Sequence, residues 1–364
     1  TLGFSASVSN KPFTKRGILS CVSSVFDPMG FASPFILIAK RLVQDLTKRG
    51  LSWDEVISSE DEVAWRQWKR ELPLLEDLKV PRCVKPSNFG VVTRAELHHF
   101  SDASGYAYGA VSYVRLINDC GQVQCSFLIG KTRLAPIRQI TIPRLELMAA
   151  VMAAKQNKFC RKELGLQIQS STFWCDSQIV LSCIKNSSKR FKTFVANRLS
   201  TIWSLTSSDQ WFHVRTEVNP AEIASRGSSV TDLTSNNKWF TGPEFLWSED
   251  ALSEAKEESS KLLCTDCDIL VTTFVSEVEE VDQSEDAASL SQCKSNTSAT
   301  IIEPLFERQS CWKKLKGSVA CILRAVHRFK CLSRTSDVAR QPVEEPGQDP
   351  LSVLSAAFCS HDLQ

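Results

Sequence analysis

No run of apolar residues in this chain approaches the roughly 20 that a membrane-spanning helix needs. A membrane partner is therefore not expected. No signal peptide precedes the 14 scattered cysteines, which sets aside a secreted disulfide scaffold and points to free thiols in a reduced, intracellular setting. The lone Cys264-x-x-Cys267 has no second pair at zinc spacing, so it reads as incidental thiols in a loop. An excess of one charge is also missing. Lys and Arg number 43 against 41 Asp and Glu, a formal net charge of +2. Bulk electrostatics therefore announce no polyanionic partner, and local clusters must be read instead. No initiator Met stands at position 1, where the chain begins Thr1-Leu2-Gly3-Phe4, so a fragment or a processed piece is expected.

What is present is a chain of 364 residues with 43% hydrophobic content, enough for two or three domains with real cores. Residues 1–16 are polar and read as extended. Asp27-Pro28-Met29-Gly30 is turn chemistry, because Pro presets φ and Gly accepts a conformation that a Cβ forbids. Phe35 to Lys48 reads as a helix with Ile36, Ala39, Leu42, Val43 and Leu46 on one face. Ser58 or Ser59 caps a helix that carries Trp65, Trp68, Leu72 and Leu75 at helical spacing, a stripe read as core rather than as a nucleic-acid contact. Pro73, Pro81 and Pro86 mark the exit, and residues 81–90 read as a linker.

From Val91 the pattern turns to strands. Leu97–Ser101, Tyr106–Leu116 and Val123–Lys131 suggest an antiparallel meander. Pro143 opens a long helix to about Leu164, as suits a first-turn proline. A strand over Ser171–Cys175, helices over 177–185 and 193–206, a strand over Trp211–Arg215 and a helix from Pro220 follow. The fold class is α/β, with a five-stranded mixed sheet. Four acids stand at informative places in this order. Asp102 ends the first strand, Glu146 lies early in the long helix, Asp176 ends the fourth strand, and Glu222 follows Asn219-Pro220-Ala221. Three or four carboxylates delivered from separate strand ends and helices are what a divalent-metal phosphodiester site needs, since paired metals share oxygen ligands.

The strings Phe26-Asp27-Pro28-Met29-Gly30, Phe100-Ser101-Asp102-Ala103-Ser104, Ile142-Pro143-Arg144-Leu145-Glu146-Leu147, Trp174-Cys175-Asp176-Ser177 and Asn219-Pro220-Ala221-Glu222-Ile223-Ala224-Ser225-Arg226-Gly227 occur in this order. The set resembles Pol polyproteins of BEL/Pao long-terminal-repeat retrotransposons, over roughly residues 10–250 and weakly over 301–335. The resemblance implies a ribonuclease H-like domain over 91–227, preceded by a helical C-terminal region of reverse transcriptase, thumb- or connection-like, over 1–85. It further implies hydrolysis of the RNA strand of RNA–DNA hybrids with two Mg2+ ions, Mn2+ being the alternative. Asp102, Glu146, Asp176 and Glu222 would be the catalytic and metal-holding acids. The fourth position is Asp in the family and Glu here, one methylene longer. The polymerase palm, with its paired aspartates, would lie upstream and an integrase region downstream. No Asp-Asp pair occurs in this chain, so polymerase chemistry is excluded from it. The implied setting is intracellular, a cytoplasmic virus-like particle or the nucleus.

Basic residues flank the acids. Lys131, Arg133, Arg138 and Arg144 precede or open the long helix, and Lys189, Arg190 and Lys192 lie among the next two helices. They suit a phosphate track for the hybrid, which makes binding salt-dependent. His213, inside the fifth strand, reads as structural rather than as a proton shuttle. Residues 228–300 read as a post-domain segment and an acidic, Ser/Thr-rich linker, 301–335 as an amphipathic helix preceding an absent integrase region, and 336–364 as a disordered tail. The competing function is a catalytically impaired or co-opted transposon remnant that acts as a nucleic-acid-binding or interaction module.

Overall fold

The computed structural model describes residues 1–5, 11–186, 189–235 and 238–262. The Cys264–Cys267 pair, the acidic segment around 277–286, the 301–335 helix and the 336–364 tail lie outside them. The chain opens with three helices: α1 (Lys15–Ser23), α2 (Ser33–Lys48) and α3 (Ser59–Glu71), the last continued by a 3-10 turn over Leu72–Asp77. The cap of α3 is Ser58, whose hydroxyl accepts the Asp61 N–H and donates to the Asp61 carboxylate at 2.6 Å. Trp65 and Trp68 are buried and stack on each other at 5.0 Å, with Trp68 also stacked on Phe35 at 4.7 Å. The tryptophan stripe is core.

The sheet begins with β1 (Val92–Ala103), β2 (Ala107–Asn118) and β3 (Val123–Leu134), an antiparallel meander. After α4 (Ile142–Glu163) the chain returns as β4 (Ser170–Cys175), parallel to β1. Then come α5 (Gln178–Lys185), α6 (Thr193–Trp203) and the short β5 (Trp211–His213), parallel to β4. The strand order is β3-β2-β1-β4-β5, a five-stranded mixed sheet as the sequence pattern predicts. Helix α7 (Ala221–Arg226) follows, then α8 (Val230–Ser235), α9 (Lys238–Thr241) and α10 (Glu249–Leu262).

Each face of the sheet has its own cover. Leu145, Ala149 and Ala153 of α4 pack with Tyr108, Ala110, Phe173 and Trp211. On the opposite face Phe100, Val111, Tyr113, Phe127 and Trp174 share one apolar cluster with Phe31, Phe35, Trp65 and Leu75 of the helical region. The hydrophobic core therefore runs across the proline-marked segment at 81–90. The Asp27-Pro28-Met29-Gly30 turn meets the sheet directly, the Met29 carbonyl accepting the Gly130 N–H at 2.9 Å. The Asp27 carboxylate accepts the backbone N–H groups of Gly30, Phe31 and Ala32 at 2.8–2.9 Å. Gly30 (φ +80°) then lies so near β3 that a Cβ on it would fall 1.8 Å from the Gly130 carbonyl.

Residues 228–262 close this same face. Trp239 is fully buried, and its indole N–H donates to the Phe31 carbonyl at 2.9 Å. The fully buried Arg115 donates to Glu96 at 2.8 Å, to the Leu246 carbonyl at 2.7 Å and to Glu249 at 2.7 Å. One guanidinium thus ties β1 and β2 to the start of α10. Burial pushes the Glu96 carboxyl up, but His98 and Arg115 outweigh it and hold the group at about 2. Among the described residues, no helix is long and apolar enough to cross a membrane.

Candidate active site

The site is built at the carboxyl ends of β1 and β4, with α7 packed beside them on β1 and β2. Strand β1 delivers Asp102, 4% exposed, and β4 delivers Asp176 just past its last residue. Asn219 fixes α7. Its amide donates to the Ser101 carbonyl at 3.2 Å, and its side-chain oxygen accepts the Ala221 N–H at 3.1 Å. Pro220 stands before the first turn, and the fully buried Ala221 and Ala224 let the helix lie flat on the sheet. Gly109 on β2 faces Ala224, where a Cβ would come within 2.6 Å of the Ala224 methyl. The Ser104 hydroxyl clamps the turn after β1 to α7 by donating to the Ser225 carbonyl at 2.8 Å.

This arrangement brings Asp102, Asp176 and Glu222 together, with one carboxylate oxygen from each lying within 4.8 Å of the others. Glu146, in the second turn of α4, stands outside that trio but feels the charge of Asp102 and acts on that of Asp176. The Ser225 hydroxyl donates to Asp102, and Thr216 donates to Asp176 at 3.1 Å. Arg226 pairs with Glu222. The other Asp176 oxygen is buried without a hydrogen-bond partner.

Packing acids this closely costs free energy that shows in their titration. Burial, then the charge of Asp176, pushes the Asp102 carboxyl up to about 6 against the pull of the Ser225 hydroxyl. Burial also pushes Asp176 up to about 6, with Glu146 and Glu222 adding to it and Thr216 opposing. Glu146 is raised by burial and by Asp102, with the Ser177 hydroxyl opposing. Glu222 is raised by burial and by Asp102 and Glu217, and Arg226 opposes. A hard cation answers both observations, the repulsion and the orphaned oxygen. An all-carboxylate donor set suits Mg2+ or Mn2+.

The other predicted residues lie on several elements. Lys131 and Arg133 are exposed on β3, opposite Ala110 and Tyr108 and so on the α4 side of the sheet. Arg138 is exposed in the following loop. Half-buried Arg144 lies 5.3 Å over the Phe194 ring, which Arg198 also covers at 3.3 Å. Arg190 and Lys192 are exposed before α6, and Lys189 is half-buried. The His213 ring is half-buried and interacts with the Asp176 backbone, and burial lowers its pKa, which fits a structural role. Ser225, Arg226 and Thr216 are the site residues that the sequence does not single out. The first two lie in the Glu222 string, one turn on, and that spacing is the only signal they carry.

Residues 14–177 match the Pao retrotransposon-like RNaseH-like domain. The Pao match runs from α1 through the whole meander and α4 to the end of β4. It joins the helical region to the sheet and contains Asp102, Glu146 and Asp176, while Glu222 lies beyond it. The mixed five-stranded sheet with its helices is an RNase H-like fold. Among solved structures, RNase H1 from the archaeon Halobacterium salinarum NRC-1 aligns at 14% identity, over 39% of this chain and 98% of its own, with a TM-score of 0.26. LC11-RNase H1 in complex with an RNA/DNA hybrid aligns at 13% identity, over 36% and 93%, with a TM-score of 0.26. Prototype foamy virus protease–reverse transcriptase aligns at 8% identity over 64% of this chain and 33% of its own, with a TM-score of 0.22. No curated protein matches the chain.

Proposed function

We propose that this protein is a divalent-metal-dependent ribonuclease H of a BEL/Pao retrotransposon Pol polyprotein, acting inside the cell on the RNA strand of RNA–DNA hybrids. In this reading residues 1–85 are the C-terminal region of the reverse transcriptase. The observation that carries it is the meeting of Asp102, Asp176 and Glu222 oxygens within 4.8 Å, with Glu146 beside them. These four acids would hold two Mg2+ ions, or Mn2+. When bound, such cations activate the attacking water and neutralise the departing 3′ oxygen.

The remaining work falls to the chain. Ser225 and Thr216 fix one oxygen each of Asp102 and Asp176, so these carboxylates need little reordering when substrate arrives. Burial of Asp102 keeps water from screening it. Lys131, Arg133, Arg138, Arg144, Lys189, Arg190 and Lys192 would follow the phosphates of the hybrid. Recognition would rest on helix shape and the 2′-hydroxyl rather than on base sequence. Glu222 reaches the trio despite its extra methylene, which supports a working site over an impaired remnant.

The test is cleavage of end-labelled substrates by the full chain. The RNA strand of a hybrid should be cut with Mg2+ present, the DNA strand and a DNA–DNA duplex should survive, and EDTA should stop the reaction. An intact hybrid at all Mg2+ and Mn2+ concentrations would favour the remnant.

A further inference from the structure

Glu222 has one more torsion than the Asp that the resemblance expects, so its carboxylate loses more freedom when fixed. The structure supplies a restraint. Arg226, one helical turn on, grips both carboxylate oxygens, Nε meeting Oε2 and Nη2 meeting Oε1 at 3.1 Å. A guanidinium fork fixes the plane of a carboxylate as well as its place. Arg226 is itself anchored. Its carbonyl accepts the Tyr106 hydroxyl at 2.9 Å, and the Arg41 guanidinium from α2 lies 3.8 Å over the Tyr106 ring. The Arg226 side chain is 63% exposed and that of Glu222 18%. The guanidinium therefore sits on the solvent side, where water screens its charge, and the carboxylate is left facing Asp102 and Asp176.

We infer that Arg226 is a positioning residue that holds Glu222 in the acidic trio, ready for a divalent cation. The inference rests on the reading of that trio as a cation site. Partners that orient a metal-holding carboxylate influence affinity strongly, their loss costing about tenfold or more.

The experiment is Mn2+ titration of the full chain, with free Mn2+ read by electron paramagnetic resonance. Arg226→Ala should weaken the weaker of the two Mn2+ sites by about tenfold or more. Arg226→Lys, with one point of contact, should fall between it and the wild type. In a Glu222→Ala background, Arg226→Ala should cause no further loss. Melting of Arg226→Ala in EDTA should stay close to wild type, since the guanidinium is largely exposed and its charge is screened by water. Binding by Arg226→Ala that equals or exceeds wild type would overturn the inference and leave the cation site standing. So would a loss that persists without Glu222. A wild-type chain that binds no Mn2+ would remove the cation site, and this inference with it.

Discussion

Replacing Asp102 by Asn should make the metal-free protein more stable. Asp102 is 4% exposed, and its carboxyl is pushed from 3.8 to about 6. At about 1.4 kcal/mol for each tenfold change in proton affinity, ionising it in the folded protein at neutral pH costs ~3 kcal/mol more than in the unfolded chain. Asp176 shares that repulsion, and the new amide must find its own partners, so about 1–2 kcal/mol should be recovered. For a unit of this size that is a rise in Tm of roughly 2–8 °C. The sign with pH follows from the raised value. Between about pH 4 and pH 6 the folded wild type holds more protons than its unfolded chain, so it gains stability as pH falls through that window. Asp102→Asn lacks that gain. The two melting temperatures, measured in EDTA from pH 8 to pH 4.5, should be furthest apart above pH 7 and converge towards pH 4.5. A variant less stable than wild type at pH 7.5, or a gap that ignores pH, would refute the electrostatic account of the cluster.

Arg115→Met should cost about 3–5 kcal/mol in denaturant unfolding, because it takes the buried cation from Glu96 and the buried donor from the Leu246 carbonyl; a loss under about 1 kcal/mol would show the network to be incidental. Glu96, held at about 2, contributes stability above about pH 4.5, and that share should fade as pH drops towards 2. Trp239→Ala should cost about 3–5 kcal/mol by emptying the space between Phe31 and Gly130; wild-type unfolding would mean that residues 228–262 are not part of the core. Limited proteolysis within 81–90 should leave two fragments that co-elute on gel filtration, since Phe100 and Phe127 share a cluster with Phe31 and Phe35. Separate elution would mean that two independent domains meet there.

Much of the sheet was legible because its strands are short runs rich in β-branched and aromatic residues, and its long helix announces itself with Pro143. The missed parts are polar. Strand β1 starts at Val92 rather than Leu97 because Arg94 and Glu96 find charged partners in Glu249 and Arg115, which no local pattern reveals. Helix α10 is mostly charged and small residues, so its place on the fold depends on Glu249 reaching Arg115 and on Ser259 accepting the His213 N–H. The linker reading at 81–90 followed from its prolines, and the apolar contacts that cross it join residues far apart in sequence. At the site, Asp102, Asp176 and Glu222, whose oxygens meet, each stand in a string visible in the sequence. That Ser225 would hold Asp102, and Arg226 would hold Glu222, depends on α7 lying against β2, and Gly109 and Ala224 permit this only once both are folded.

If the meeting of Asp102, Asp176 and Glu222 is the proposed hydrolytic centre and not a structural accident, removing one of the three charges must stop the reaction. The direct measurement is the rate of hybrid cleavage by Asp102→Asn at saturating Mg2+, on protein shown by its melting curve to be folded. Asp102→Asn should be at least as stable as wild type in EDTA and should cleave the RNA strand on the order of a hundred- to a thousandfold more slowly or not at all, since a buried charged group has been removed. Cleavage by Asp102→Asn at the wild-type rate would contradict the proposal.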